Sequence, residues 1–147
     1  MAKLVTRRKV LILAGAAGLA GAGAWAMRPE FEGTEMSPGQ AHQAALAGDI
    51  LLIDIRRPDE WKKTGVGEGA QKLDMRRKDF IAALTQLADG DLNRPIAIIC
   101  ARGVRSDRTS LKLEKAGFTR IIDVPEGMLG SRAGPGWLER GLPVTHS

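Results

Sequence analysis

The chain has 147 residues, 44% of them hydrophobic and 27% charged, the make-up of one globular domain and not of a disordered chain or a multi-span membrane protein. Its net charge of +5 is gathered at one end: residues 1–26 hold Lys3, Arg7, Arg8 and Lys9 and no acid, so of 22 basic residues 18 remain to face 17 acidic ones. That near balance excludes nucleic-acid binding driven by overall charge.

The first 26 residues read as an address. Thr6-Arg7-Arg8-Lys9 precedes an uncharged, Ala- and Gly-rich stretch from Val10 that closes on Ala24-Trp25-Ala26. A basic start, an apolar middle and a small-x-small end describe an export signal. Arg7-Arg8 with Val10 and Leu11 behind it resembles a bacterial twin-arginine signal. A general secretory signal and an uncleaved membrane anchor are the alternatives, the run being near the lower limit for a span. The expected location is the periplasm or outside, or the inner membrane facing the periplasm. The membrane is then met only through this segment. Residues 27–36, with Pro29 and Gly33, read as a linker to a domain over 37–145.

Ser37-Pro38-Gly39-Gln40 predicts a helix start, with Ser37 as cap, Pro38 in the first turn and Gln40 completing a capping box; Gly48 ends it. Ile50–Ile55 is a short apolar run that predicts a buried strand. Phe80, Ile81, Leu84, Leu87 and Ala88 recur at helical spacing up to Asp89-Gly90. Ile96–Cys100 predicts a second buried strand, Asp107–Ala116 a helix stopped by Gly117, Ile121–Val124 a third strand, and Trp137–Glu139 a short last helix. Strands alternating with helices imply an α/β fold with a parallel sheet covered on both faces. Sites in such sheets form at the carboxyl ends of strands, which is where Cys100 stands.

Cys100 is the only cysteine, so an internal disulfide and a Cys-rich zinc site are excluded. His42 and His146 show neither metal-ligand spacing nor triad logic, and are read as surface residues. No metal or organic cofactor is expected. The informative segment is Cys100-Ala101-Arg102-Gly103-Val104-Arg105-Ser106. A tight strand-to-helix loop can turn its N–H groups onto one centre, favouring a thiolate there. Gly103 removes a side chain where the backbone bends or closes in. Arg102 and Arg105 add positive charge for an anionic substrate, whereas Asp107 opposes a nearby thiolate. Trp61 and Trp137 are read as packing residues, and the Pro125–Met128 turn as a possible border of the site.

The pattern Cys-x-x-Gly-x-Arg-Ser resembles the active-site loop of the rhodaneses, thiosulfate-type sulfurtransferases. The resemblance extends over most of 37–145. Leu52–Arg56 with Pro58-Asp59-Glu60-Trp61 is similar to that family's first strand and following turn, and Gly69-Ala70 to the pair before its next strand. Leu113 with Gly117-Phe118, and Gly127, Trp137, Gly141 and Pro143, are similar to the later pattern. Gly65–Ala70 lacks the family's His and Pro, and Thr109 and Ser110 replace small apolar residues. The resemblance implies a three-layer α/β/α domain with a mainly parallel sheet. It implies that Cys100 takes sulfur from a small anionic donor such as thiosulfate, holds it as a persulfide and passes it to cyanide or a thiol. Asp54 and Arg56 would support the loops by hydrogen bonds or an ion pair. A non-enzymatic persulfide carrier is one alternative. A phosphatase or arsenate reductase is another, disfavoured because only four residues separate Cys100 from Arg105.

Overall fold

The computed structural model describes residues 29–146. The export signal or anchor read over 1–26, with Arg7 and Arg8, lies outside the described residues. A compact unit begins at Phe31.

The helix α1 (Pro38–Leu46) starts as its sequence dictates. Gln40 N–H donates to Ser37 Oγ at 3.2 Å, and Ser37 N–H to Gln40 Oε1 at 2.9 Å. Four further strands, β2 (Leu51–Asp54), β4 (Ala70–Lys72), β5 (Ile96–Ile99) and β6 (Ile121–Asp123), join the short edge strand β1 (Thr34–Glu35). They form one parallel sheet in the order β1-β6-β5-β2-β4. Between β2 and β4 lie α2 (Pro58–Thr64) and β3 (Val66–Gly67); α3 (Phe80–Leu87) precedes β5 and α4 (Val104–Lys115) follows it. The last strand, β7 (Val144–Thr145), pairs antiparallel with β3 in a separate ribbon.

Side-chain alternation splits the core in two. Leu51 and Ile53 of β2 with Ile55 just beyond it, and Ile96 and Ile98 of β5 with Cys100 just beyond it, pack under Phe80 and Leu84 of α3 and Leu113 of α4. Leu52, Ala97, Ile99 and Ile122 face the other way, against Ala41 of α1, Met128 and Trp137. Helices on both faces of a parallel sheet make the expected three layers. Among the described residues no helix is long and apolar enough to cross a membrane.

Four expectations change. The stretch read as a linker belongs in part to the domain: Phe31 is buried in the core, its N–H donates to Asp107 Oδ1 at 3.0 Å, and Thr34 and Glu35 pair with β6. The segment read as a turn after the first strand contains α2. The short last helix is instead a turn, because the Trp137 and Leu138 N–H groups donate to Gly127 and Met128 carbonyls. His42 is not a surface residue. Its side chain is 13% exposed, 3.1 Å from Glu68, and meets the Trp137 ring edge-on.

Candidate active site

Cys100 follows the last residue of β5, and alternation turns its side chain to the face covered by α3 and α4. The residue is 1% exposed. Its Sγ receives the N–H of Gly103 at 3.2 Å and the N–H of Ser106 at 3.3 Å. Both donors belong to the start of α4, whose first turn leaves N–H groups without helical partners. The helix begins at Val104, three residues before the sequence reading put it, and so brings Ser106 N–H to the sulfur. Ser106 is buried, and its Oγ donates to the Gly103 carbonyl at 3.1 Å, closing the loop on itself.

The Pro125–Gly130 segment holds this loop from outside. Met128 N–H donates to the Cys100 carbonyl and Leu129 N–H to the Ala101 carbonyl, each at 2.9 Å. Gly103 has φ +86°, and a Cβ there would lie 2.3 Å from the Pro125 carbonyl oxygen. The close approach that demands glycine is therefore to Pro125. Glu126 anchors the segment, accepting from Gly136 N–H at 3.0 Å and from Arg140 Nε and Nη2 at 2.7 and 2.6 Å. The Arg140 guanidinium holds its carboxyl below the usual range.

The remaining loop residues divide sharply. Ala101 is buried and Val104 is 59% exposed. Arg102 is exposed; its Nη1 donates to the Gly130 carbonyl at 3.3 Å, and no carboxylate pairs with it among the described residues. Arg105 is engaged otherwise. Its Nη1 and Nη2 donate to the two carboxylate oxygens of Glu60 at 2.8 and 2.6 Å. That bidentate bond, with the Arg57 N–H in support, lowers the Glu60 carboxyl to about 2 and raises the Arg105 guanidinium.

Asp54 and Arg56 turn to each other. Arg56 is 1% exposed and grips the Asp54 carboxylate through Nε at 3.0 Å and Nη2 at 2.8 Å. Its remaining donors reach Thr64 Oγ1 at 3.0 Å and the Gly65 carbonyl at 2.9 Å, where α2 ends. A continuous linkage results: the end of β2 holds the end of α2, and Glu60 near the start of α2 holds Arg105 in the loop. The two residues expected to support the site thus reach it through a helix that periodicity did not predict.

Glu60, Glu126 and Asp123 were not singled out from the sequence. The signal for Glu60 was present: it is the third residue of a helix opening on Pro58, where a carboxylate caps. Asp123 ends β6 and is 2% exposed, and its Oδ1 has no hydrogen-bond partner among the described residues. Burial pushes its carboxyl up to about 6, with help from the Asp107 and Glu35 carboxylates. Among the described residues no group of three or more His, Cys, Asp or Glu could hold a metal ion.

Such an arrangement suits a sulfur nucleophile that must carry negative charge before and after accepting a second atom, since backbone N–H groups stabilise an anion without moving. A family model described as the rhodanese-like domain matches residues 37–132. A tRNA sulfurtransferase of Yersinia enterocolitica is 37% identical over 81 residues, 53% of this chain and 16% of that protein. A tRNA uridine(34) hydroxylase of Nitrobacter hamburgensis is 34% identical over 101 residues, 66% of this chain and 38% of that protein. The chain thus spans well under half the length of these relatives. The polysulfide-sulfur transferase homodimer of Wolinella succinogenes is 28% identical with a TM-score of 0.58, over 78% of this chain and 79% of that one. Sheet, loop and sequence match lead to one assignment: the chain belongs to the rhodanese-like domain family.

Proposed function

We propose that this domain is a sulfurtransferase whose nucleophile is Cys100. The observation that carries the reading is the pair of N–H groups, from Gly103 and Ser106, directed at Cys100 Sγ. The Cys100 thiolate attacks the sulfane sulfur of a donor such as thiosulfate. A new S–S bond forms, the donor's S–S bond breaks, and sulfite leaves with the electron pair. The terminal sulfur of the persulfide anion then inherits the charge that the loop N–H groups favour. Cyanide or a thiolate attacks that outer sulfur, and the Cys100 thiolate is released. Two half-reactions on one group predict ping-pong kinetics.

The near balance of acid and base outside residues 1–26 supports a small donor over tRNA as the direct substrate. Arg7-Arg8 and the apolar stretch after them support export to the periplasm. Lys at both positions blocks export on the twin-arginine route, and unchanged export would indicate the general secretory one.

The test of the reaction is intact mass spectrometry of the full chain before and after thiosulfate. A gain of one sulfur atom, reversed by cyanide and absent in Cys100→Ser, is expected. Repeated cyanide turnover separates an enzyme from a carrier that loads once. A gain that survives in Cys100→Ser would end the assignment.

A further inference from the structure

Arg105 occupies the loop position from which a cation would meet an anionic donor, yet both its terminal nitrogens are committed to Glu60. The pair is half-buried, with side chains 31% and 19% exposed. Glu60 also accepts the Arg57 N–H at 3.0 Å, so its carboxylate is fixed from two sides. A donor approaching Arg105 meets a guanidinium whose charge is already balanced by the carboxylate bonded to both its terminal nitrogens. Because Glu60 titrates near 2, the pairing persists at every pH where the protein would work. Arg102 is left as the loop cation with no carboxylate partner among the described residues.

We infer that Glu60 is a specificity-determining residue: by neutralising Arg105 it biases the site toward sulfane donors of one negative charge over the dianion thiosulfate. The inference rests on the sulfurtransferase reading and adds the charge class of the donor. Glu60 acts through Arg105 and is a positioning residue, not one that touches the reacting sulfur. Within the loop, a second negative charge on the donor has Arg102 and the N–H groups to offset it.

The experiment uses two probes that deliver the same atom. Thiosulfate carries two charges, and benzenethiosulfonate carries one. Each gives the same Cys100 persulfide, releasing sulfite or benzenesulfinate with the electron pair of the broken S–S bond. The second-order rate of sulfur loading is read by intact mass on the full chain, and the ratio of the two rates is compared among variants. Glu60→Gln frees the Arg105 charge and raises the thiosulfate-to-benzenethiosulfonate ratio about tenfold, the size expected of one unit charge acting over several ångströms in a half-exposed site. The double variant Glu60→Gln/Arg105→Gln removes a neutral pair and leaves the ratio within about twofold, whereas Arg102→Gln lowers it roughly tenfold by the same reasoning.

A ratio that falls as far in the double variant as in Arg102→Gln would overturn the inference, as would a folded Glu60→Gln with an unchanged ratio. Should Glu60→Gln fail to fold, as judged by circular dichroism, the double variant, which leaves neither partner unpaired, decides together with Arg102→Gln. Failure of the underlying reading looks different: neither probe adds sulfur to the unaltered protein, or both still do so in Cys100→Ser.

Discussion

Two neighbouring strands, β2 and β5, end side by side in register, Asp54 opposite Ile99, and their ends are built on opposite plans. At the end of β2 the Asp54–Arg56 pair is shut from water, and every Arg56 nitrogen meets an oxygen of Asp54, Thr64 or Gly65. At the end of β5 the Cys100 sulfur is equally buried but receives only N–H donors. A closed, charge-balanced network fixes geometry. A set of donors converging on one atom is ready for a charge that changes place during a reaction. The same location at the carboxyl end of the sheet is thus a strut in one strand and, in the proposed function, the place of chemistry in the next.

The sharpest way to break this comparison is Cys100→Ser. Sulfur loading vanishes, while the melting temperature stays within a few degrees because the replacement is nearly isosteric. Arg56→Ala does the reverse. It strands a buried Asp54 carboxylate, and thermal unfolding should show a loss of about 3–5 kcal/mol. If Arg56→Ala left stability untouched but ended sulfur loading, the division between strut and chemistry would be wrong.

Gly103→Ala tests the meeting of the two plans, since its Cβ would be driven against the Pro125 carbonyl at a φ of +86°. Left-handed backbone and overpacking together cost about 2–4 kcal/mol. Sulfur loading should slow about tenfold or more as the Gly103 N–H leaves the sulfur, the equivalent of one lost transition-state donor.

Asp123 supplies the pH test. Its carboxyl is raised from 3.8 to about 6, so the folded state binds its proton more tightly than the unfolded chain does. The contribution of Asp123 to stability is therefore greatest below about pH 4, falls as pH rises toward 6, and is level above. The whole drop is about 2–3 kcal/mol. Asp123→Asn should remove that slope and raise stability at pH 8, read from denaturant midpoints at several pH values. A slope that persists in the variant would place its origin in another group.

The sequence by itself determined the parts governed by local rules. The α1 capping box, the apolar runs of β2, β5 and β6, and the position of Cys100 at a strand end were all legible, because caps and periodicity act within a few residues. The family pattern around Cys100 was legible for the same reason, being contiguous. Helix α2 was not legible by periodicity. None of its residues is buried, so it carries no apolar stripe; Pro58 at its start, acids in the first turn and lysines in the last hold it together. The edge strand β1 was read as linker because two exposed residues form it, and their pairing partner lies some ninety positions away. Only the tertiary structure decided the electrostatics of the loop. Arg105 reads as a free cation in sequence, and its neutralisation by Glu60 depends on α2 being set beside α4. Which charges remain available to a substrate is a property of long-range packing, and local sequence constrains it only through the elements that packing brings together.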